Sequence, residues 1–477
     1  MRTLLRNAIW IHAGDPARPG MANGQVSVVD GRIECVQSSP VTARADETID
    51  LDGCLLIPGL INTHHHFFQS LTRALPEVHC AASEDWLAAL YPVWARMDAA
   101  DIAAAARNAA AELLLSGVTT SVDHAFLLRD AGDERLAAQV EAARELGLRL
   151  HLVRSGLPAI GGRVETRVAA QLGPGLPGLI DDADRWLAQC AADIARWHDP
   201  APGSMLRLAL GPSNVDYTRP ELMRSLARLA REHGCGLHAH LHPRAAEREL
   251  SRRHTGLEPV AFLEEAGWLG EGRWFAHCTE LDDAEIERFA ATGTGVSHCP
   301  RTVIRLGYRM PRIGAMRRAG VPVSIGADGA ASNDGGAFVS DLRLALLLHR
   351  AGGDAPADWL EPADALDMAT RVAARTLGRG DIGSIAPGMR ADLAAFDLSG
   401  LDCAGALDDP AGGFLLAGTR TRAKLVMVEG RVVVRDGRLA TGDEARIAAR
   451  TRERSRALLA RARTGLAPRR VSKGPDD

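Results

Sequence analysis

The sequence predicts an α/β fold: a (β/α)8 barrel of the TIM type, joined to a small β-sandwich domain that both ends of the chain build. Three observations support this prediction. Short apolar segments alternate with amphipathic helical segments in the middle of the chain, β-prone segments with glycine turns occupy both ends, and histidine or aspartate follows most of the central apolar segments. Eight parallel strands, the number found here, close such a barrel.

The size and charge of the chain fit a globular enzyme. It has 477 residues, 46% of them hydrophobic, and a formal net charge of −4 from 56 basic and 60 acidic residues. This near-neutral balance excludes an extended basic surface for nucleic acid, and no apolar run approaches the roughly 18 residues that span a membrane. The N-terminus MRTLLRNAIWIHAGDP has no signal-peptide pattern, so we expect a cytoplasmic protein.

Both ends of the chain have the sequence pattern of β-hairpins. The first sixty residues contain LLRNAIWI, NGQVSVVDGRIECV and TIDLDGCLLIPG, in which Asn23-Gly24 and Asp30-Gly31 predict turns. The same pattern recurs near the C-terminus, in DIGSIAPGMRADLAAFDL and KLVMVEGRVVVRDGRL. We therefore predict a discontinuous sandwich domain of residues 1–58 and 381–442, a barrel of residues 59–380, and a C-terminal helix with a disordered tail in residues 443–477.

The eight barrel strands are predicted from short apolar runs separated by helical segments. The helix in AAAARNAAAELLLSG is expected to end at Gly117, because helices commonly end at a glycine. The predicted strands are, in chain order, Leu60–Thr63, Val118–Val122, Leu148–Val153, Met205–Leu210, Cys235–Ala239, Arg273–Ala276, Thr294–Ser297 and Pro322–Ile325.

Histidine or aspartate stands at the ends of six of the eight predicted strands, where a barrel places its chemistry. Residues i and i+2 of a strand face the same way, so His64 and His66 can both point into the barrel mouth. With His240 from strand five and Asp328 from strand eight, they would form a nitrogen-rich site that suits zinc or iron(II). The strand-end residues are His64 to His66, Asp123, His124, His238, His240, His277, His298 and Asp328.

These motifs make the chain resemble the amidohydrolase superfamily. The resemblance rests on PGLINTHHH at strand one, HAH at strand five, FAHC at strand six and GADGAASND at strand eight, and it runs over essentially the whole chain. NTHHHFFQSLTRALP, TGTGVSHCPR and ADGAASND are most similar to the cytosine/guanine deaminase and triazine hydrolase branch, and within it to 8-oxoguanine deaminases. The resemblance implies a metal-dependent hydrolase that releases ammonia from an aminated heterocycle.

The resemblance also implies a role for each strand-end residue. His64, His66, His240 and Asp328 would hold a divalent ion, with zinc the first choice and iron the alternative. The ion would lower the pKa of water so that hydroxide attacks the ring carbon that carries the amine. Asp328 would take a proton from the attacking water, and His277 would stabilise the tetrahedral centre.

Lysine is nearly missing from the chain, and this bears on the number of ions. Many binuclear amidohydrolases bridge two metals with a carbamylated lysine on strand four. The two lysines among the 56 basic residues are Lys424 and Lys473, both beyond the predicted barrel. We therefore predict a single metal ion.

The chain departs from the branch after strand five. Most deaminases of the branch place a glutamate three residues after the strand-five histidine, where it carries a proton to the ring nitrogen and the leaving amine. Pro243 stands at that position here. We predict that His242 replaces the glutamate, because imidazole suits proton transfer near neutral pH and strand alternation puts it on the side of His240. Glu247, on the next helix, is the alternative, and an ordinary loop histidine is the other interpretation of His242.

Substrate-binding residues are expected around the same mouth. Gln69 lies three residues past His66, where guanine deaminases read the amide edge of a purine, although it could instead cap the helix that follows. Trp86, Tyr91 and Trp94 form either a stacking platform or part of the core. The rest of the predicted set, His124, Ser213 and Asn333, follows strands two, four and eight.

Two further departures bear on the substrate. Guanine deaminases carry an arginine shortly after strand four, where this chain has Gly211-Pro212-Ser213-Asn214, and Arg301–Arg305 replaces a Ser-Asn pair expected in 8-oxoguanine deaminases. The leading prediction is a deaminase of 8-oxoguanine or a related purine or pteridine. The alternatives are a triazine hydrolase that displaces an alkylamine or chloride, and a metal-binding ligand sensor without catalysis. We expect a homo-oligomer that binds neither nucleic acid nor membrane.

Overall fold

The structure is a computed structural model that describes residues 1–15, 20–41, 43–128, 134–158, 180–215, 218–242 and 244–463. The strands, numbered along the chain, are β1 (Arg2–Ile11), β2 (Met21–Val29), β3 (Arg32–Gln37), β4 (Glu47–Asp50), β5 (Cys54–Pro58), β6 (Leu60–Asn62), β7 (Val118–Ala125), β8 (Arg149–Arg154), β9 (Leu157–Pro158), β10 (Ile180–Asp181), β11 (Leu206–Leu210), β12 (Gly236–Leu241), β13 (Arg273–His277), β14 (Gly295–His298), β15 (Val323–Ile325), β16 (Leu393–Asp397), β17 (Leu425–Val428), β18 (Arg431–Arg435) and β19 (Arg438–Leu439).

The α-helices are α1 (Ser83–Trp94), α2 (Ala99–Leu115), α3 (Glu134–Leu146), α4 (Ala183–Trp197), α5 (Pro220–His233), α6 (Ala245–Thr255), α7 (Pro259–Glu265), α8 (Asp283–Thr292), α9 (Pro300–Arg305), α10 (Ile313–Ala319), α11 (Phe338–Ala351), α12 (Pro362–Met368), α13 (Arg371–Thr376), α14 (Pro410–Gly412) and α15 (Glu444–Arg463). Short 3-10 turns span Phe67–Leu71, Pro76–Val78 and Pro356–Asp358, and a π-helical turn spans Gly413–Ala417. Helix α2 begins with a capping box between Asp98 and Asp101. After it the chain turns at Gly117, whose φ of 88° is reached most easily by glycine, as predicted.

The eight predicted barrel strands all form and lie side by side in chain order, from β6 through β7, β8 and β11 to β15. Their pairing is parallel throughout, with Leu206 opposite Leu150 and Ala276 opposite Ser297. The strands are apolar and buried on both faces because helices cover the outside and side chains fill the inside. This barrel, with a separate sheet at the chain ends, confirms the predicted fold class.

Thr63 brings the first and last barrel strands together. Its backbone N–H donates to Ile325 O at 3.2 Å, and its hydroxyl lies 2.7 Å from Ser297 Oγ and 2.9 Å from Ser324 Oγ. The Trp274 indole N–H donates to Thr63 O at 3.0 Å. These buried, hydrogen-bonded groups form a rigid floor beneath the histidines at the barrel mouth.

The chain ends form one mixed, mostly antiparallel sheet of nine strands. β5 pairs with β16 and so joins the N-terminal hairpins to the C-terminal ones. Val28 of β2 and Met427 of β17, from opposite halves of the sheet, share one apolar core. Asp30-Gly31 forms the predicted turn between β2 and β3, but the turn predicted at Asn23-Gly24 is wrong. Asn23 lies within β2 at a positive φ, and β2 continues through it in regular pairing with β1, from Ala8 opposite Gly24 to Trp10 opposite Ala22.

A buried ion network connects the barrel to this sheet. Arg149, on barrel strand β8, donates from Nε and Nη2 to the carboxylate of Asp392 at 3.1 and 3.0 Å. The same Nη2 donates to Glu429 at 2.7 Å, and both Arg149 and Asp392 are almost completely buried. A bidentate pair in this setting fixes the orientation of the two groups.

Helix α15 packs on the outside of the barrel, and the predicted tail beyond it lies outside the described residues. Arg454 pairs with Asp98 and Asp101 at the start of α2. Leu458 is buried in an apolar cluster with Trp94 of α1. All eight cysteines have free thiols. In the part of the chain that the structure describes, no helix has the length and apolar character needed to cross a bilayer.

Candidate active site

Four predicted ligands meet at the carboxyl ends of the barrel strands. Nε2 of His64 lies 3.5 Å from Asp328 Oδ1, and Nε2 of His66 lies 3.4 Å from the same oxygen. Nε2 of His66 is also 3.2 Å from Nε2 of His240. His64, His66 and Asp328 are buried, and His240 is partly buried. The four predicted ligands therefore lie close together at the barrel mouth.

Hydrogen bonds on the far side of each ring fix the tautomers of the three histidines. His238 donates from Nδ1 to Trp274 O at 2.8 Å, so its Nε2 accepts from His64 Nδ1, also at 2.8 Å. His66 donates from Nδ1 to the backbone oxygen of His124 at 2.8 Å. The same logic applies to His240, whose Nδ1 donates to the backbone oxygen of Ser213. Each ring therefore presents an unprotonated Nε2 to the site.

This arrangement fits a divalent cation. Two lone pairs on His66 and His240 face each other across 3.2 Å, and Nε2 of His64 is buried without a hydrogen-bond partner. Such a geometry is unfavourable unless a positive ion lies among the nitrogens. Three imidazole nitrogens and one carboxylate oxygen suit zinc or a similar transition metal.

The charges at the site agree with this interpretation. Burial lowers the pKa of His66 to about 4 and the pKa of His64 well below its usual value, so both rings are neutral. Burial opposes ionisation of Asp328, but the imidazoles next to it, His64 first among them, hold its pKa well below the usual range. Neutral imidazoles and an ionised carboxylate are the protonation states that ligate metals.

His277 lies beside the ligand set at the end of β13. Its Nε2 is 3.8 Å from Asp328 Oδ2, and its Nδ1 is buried without a hydrogen-bond partner. His277 and Asp328 both adopt a positive φ, 75° and 62° respectively, which is uncommon for residues other than glycine. Such strained backbone at two strand ends is common at functional sites.

His124 groups with three residues of the predicted ligand set at the barrel mouth. It is completely buried, and its side chain forms a compact group with those of His64, His66 and His240, with nitrogen atoms within 4.8 Å. Its Nε2 donates to Pro212 O at 3.2 Å. The structure therefore does not place His124 where a substrate would contact it, because the residue lies behind His66.

A cavity of about 680 Å³, counted out to its open rim, lies above the ligand set. Its walls combine aromatic rings with a few polar groups, the usual composition of a small-molecule site. The lining residues are His66, Gln69, Ser83, Trp86, Leu87, Tyr91, Trp94, Phe126, Ser213, Asn214, His240, His242, Arg244, His277, Leu306, Tyr308, Asp328 and Ser332.

Three of the predicted substrate-binding residues line this cavity. Gln69 accepts a hydrogen bond from Ala331 N–H at 3.1 Å, which leaves its amide nitrogen as the group to face a ligand. Trp86 donates to Ala331 O at 3.0 Å, so its ring is held on the wall. Ser213 also lines the cavity. Gln69 itself lies inside the turn Phe67–Leu71, and its side chain bonds to Ala331, whereas Ala82 stands at the N-cap of α1.

Asn333 does not line the cavity. Its Nδ2 donates to Ala327 O, and its Oδ1 accepts from Gly335 N–H at 2.7 Å. Both ends of the amide are thus bonded to the loop after β15. Asn333 therefore stabilises the loop that carries Asp328. Both ends of its amide are already hydrogen-bonded there.

His242 lies on the cavity wall next to His277. The two rings stack with centroids 4.7 Å apart and planes 19° from parallel, and His242 Nδ1 lies 3.2 Å from Thr279 Oγ1. Burial and the neighbouring His277 keep the pKa of His242 well below its usual value. Glu247, the alternative, forms an ion pair with Arg244 and is not among the lining residues.

Sequence reasoning missed several residues of this site. Arg244 and Tyr308 line the cavity but lie on loops, away from the strand ends where the sequence analysis looked for site residues. His238 was predicted as a strand-end residue, but its role in orienting His64 was not. Phe126 lies on the wall, and strand alternation from His124 could have identified it. His298, a predicted strand-end residue, instead faces His349, with their Nε2 atoms 3.1 Å apart, away from the cavity.

Comparisons with known proteins agree with this architecture. The chain is 37% identical over 463 residues to 8-oxoguanine deaminase of Pseudomonas aeruginosa PAO1, covering 96% of this chain and 99% of the relative. It is 35% identical over 460 residues to isoxanthopterin deaminase from an unknown prokaryotic organism, covering 91% and 92%. The structure of atrazine chlorohydrolase TrzN from Arthrobacter aurescens TC1 complexed with zinc matches with a TM-score of 0.87 and 32% identity, covering 95% of this chain and 100% of that one.

The family assignment extends across both parts of the fold. A profile described as the amidohydrolase family matches residues 55–433, which run from the first sheet domain through the whole barrel and back into the sheet. The deaminase and chlorohydrolase relatives cover nearly the full chain. The chain therefore belongs to the amidohydrolase family and is a hydrolase that acts on carbon–nitrogen bonds.

Proposed function

We propose that this protein is a hydrolytic deaminase with one metal ion, and that its substrate is 8-oxoguanine or a related oxidised purine or pteridine. The observation that carries the proposal is the convergence of three unprotonated Nε2 atoms and Asp328 at the floor of an aromatic cavity. Water replaces the exocyclic amine on a ring carbon: a carbon–oxygen bond forms, the carbon–nitrogen bond breaks, and ammonia leaves.

His64, His66, His240 and Asp328 would hold the ion, with zinc the first choice. A divalent ion bound there supplies Lewis acidity that brings the pKa of water toward neutrality. No lysine lies in the barrel, since the first lysine, Lys424, immediately precedes β17 of the terminal sheet. This excludes a carbamylated lysine bridge and supports a single ion.

Asp328 and His277 are placed to act on the attacking water and the reacting carbon. Asp328 is ionised, so its carboxylate can accept a proton from water and return it to the departing amine. His277 is neutral, because burial lowers its pKa to about 3, and its Nε2 is 3.8 Å from Asp328 Oδ2. A neutral imidazole there can hydrogen-bond to the oxygen that develops charge during the addition.

His242 is our candidate for the proton transfer that the missing glutamate performs elsewhere. Nδ1 lies against the hydroxyl of Thr279, which can donate or accept a hydrogen bond. The ring can therefore change tautomer as it takes or returns a proton at Nε2. Stacking on His277 fixes the ring beside the residue that would contact the reacting centre.

The size and lining of the cavity support a flat heterocycle. Trp86, Tyr91, Trp94 and Phe126 provide apolar faces, and the Gln69 amide nitrogen provides a donor. The similarity to 8-oxoguanine deaminase and isoxanthopterin deaminase favours oxidised bicyclic rings. A triazine hydrolase is the second candidate, because the TrzN structure shares the fold over 95% of this chain.

The test is ammonia release by the zinc-loaded protein from 8-oxoguanine, isoxanthopterin, guanine, cytosine and hydroxylated triazines. We expect turnover of 8-oxoguanine or isoxanthopterin well above that of the others, and none in an Asp328→Ala variant. Release of an alkylamine or chloride from triazines alone would favour the second candidate. Silence across the panel in fully loaded protein would contradict both and favour a ligand sensor.

A further inference from the structure

Arg244 is a charged residue of the cavity wall with no role in the proposed deamination. It follows β12 and immediately precedes α6, and its backbone N–H donates to His242 O at 2.7 Å in a tight turn. Its guanidinium forms an ion pair with Glu247, one turn along the helix. Glu247 is largely buried, so this contact holds the arginine in place while it lines the cavity.

Arg244 lies near the rim and the metal ligands lie at the floor. The side chain of Arg244 is 35% exposed, against 5% for Asp328 and 3% for His66. It lines the cavity together with His242 and Tyr308. Tyr308 and His242 are themselves in contact, with ring centroids 4.7 Å apart.

Gln69 and Arg244 both present hydrogen-bond donors to the cavity. Gln69 offers its amide nitrogen, because its oxygen is bonded to Ala331. Arg244 carries a permanent positive charge and a guanidinium that can only donate. The carboxylate that lines the cavity, Asp328, lies among the histidines at the floor. A ligand that fills this space needs acceptor oxygens, and preferably negative charge, at its outer end.

We propose that Arg244 is a specificity-determining residue that binds the oxo oxygen of a lactam. This lactam lies on the edge of the heterocycle opposite the amine that is lost. This inference rests on the proposed deaminase function, since the amine must sit at the floor. In 8-oxoguanine and isoxanthopterin alike, the exocyclic amine and the additional oxo group lie at opposite ends of the bicyclic ring. Guanine has no oxo group at that end, and cytosine has no second ring. Arg244 thus selects oxidised bicyclic lactams.

The first test compares 8-oxoguanine with guanine, which lacks the oxygen at ring position 8, in the zinc-loaded enzyme. In Arg244→Gln, kcat/KM for 8-oxoguanine is expected to fall by about 10- to 100-fold, mainly through KM, because a charge-assisted hydrogen bond is lost. The loss for guanine should be smaller, so the preference for 8-oxoguanine falls at least about tenfold. Arg244→Lys, which keeps the charge without the planar fork, should be intermediate. Arg252→Gln, an exposed arginine on the same helix, is the matched control.

Binding of urate, the deamination product of 8-oxoguanine, gives a readout that needs no turnover. Urate is an anion at neutral pH, and calorimetric titration of the zinc-loaded protein should show binding that weakens at least about tenfold in Arg244→Gln. Equal losses for guanine and 8-oxoguanine, or unchanged urate affinity in Arg244→Gln, would overturn the inference. If the wild-type enzyme releases no ammonia yet binds urate through Arg244, the deaminase proposal fails and the recognition role stands. If it deaminates 8-oxoguanine and Arg244→Gln behaves like the wild type, the deaminase proposal stands and the recognition role of Arg244 fails.

Discussion

His64 and His238 are joined by a 2.8 Å hydrogen bond between Nδ1 of the first ring and Nε2 of the second, at the floor of the barrel mouth. His238 donates in turn to the backbone oxygen of Trp274, so its tautomer is fixed by the barrel wall. This relay leaves Nε2 of His64 unprotonated and turned toward Asp328. Partners of this kind orient metal ligands and raise their basicity.

Replacing His238 should therefore weaken metal binding although the residue is not a proposed ligand. His238→Phe removes the acceptor for His64 Nδ1, and zinc affinity should fall by about 10- to 100-fold in a competition titration with a chelator. His238→Gln keeps an acceptor and should lose less. His151→Gln, at another buried barrel histidine, is the matched control. Equal zinc affinity in wild type and His238→Phe would contradict the relay.

The stability of the metal-free protein should depend on pH through its buried histidines. Burial lowers the pKa of His66 to about 4, and of His65 and His277 to about 3, from 6.5 in the unfolded chain. Between these values the unfolded chain binds protons that the folded chain does not. The free energy of unfolding should therefore fall as the pH falls from about 6.5 toward 4, by up to about 1.4 kcal/mol per pH unit for each histidine.

Urea unfolding of the metal-free protein at several pH values measures this slope. His66→Gln removes one of the titrating groups and should make the dependence shallower. His233→Gln, at an exposed histidine at the end of α5, should leave it unchanged. A free energy of unfolding that is constant or rises as the solution is acidified would contradict the assigned protonation states.

His242 should affect turnover without affecting the metal. His242→Ala is expected to keep its zinc content and to lower kcat by at least about a hundredfold, because a positioned proton carrier typically contributes 10²- to 10⁴-fold. His242→Glu should restore part of the loss. The matched control is His233→Ala, and normal turnover in His242→Ala would mean that the proton travels by another route.

Breaking the buried Arg149–Asp392 pair should destabilise the fold strongly. Arg149→Met leaves the Asp392 carboxylate buried without its partner, so the free energy of unfolding should fall by about 3–5 kcal/mol in urea denaturation. Arg224→Met breaks the exposed pair with Glu265 and should cost no more than about 1 kcal/mol. Equal effects of the two changes would show that burial does not matter here.

The parts of this molecule that the sequence predicted are those set by local pattern. Each barrel strand is a short apolar run, and the two-residue repeat of a strand places His64 and His66 on one side. Asn23-Gly24 was predicted wrongly as a turn, because the pairing of β2 with β1 continues through this dipeptide. That pairing is a contact between strands which the dipeptide alone does not show.

The loop residues could not be predicted in the same way. Tyr308 lies in the cavity with its hydroxyl 2.9 Å from Ser83 Oγ, a tertiary contact that no local spacing encodes. Arg244 pairs with Glu247 at the local i,i+3 spacing, but that spacing does not indicate that Arg244 lines the cavity. Asn333 and His124 have the right residue types at the right strand ends. Asn333 is nevertheless hydrogen-bonded at both ends of its amide to the backbone of its own loop, and His124 donates from Nε2 to Pro212 O.

The measurement that tests the account most directly is a zinc titration of the metal-free enzyme, followed by ammonia release from 8-oxoguanine. The site has three histidine nitrogens and one carboxylate oxygen, and the barrel has no lysine to bridge a second ion. Activity should therefore rise in proportion to added zinc and level off at about one ion per chain, and Asp328→Ala should show no rise. A plateau at about two ions per chain, or ammonia release that does not depend on zinc, would contradict the account.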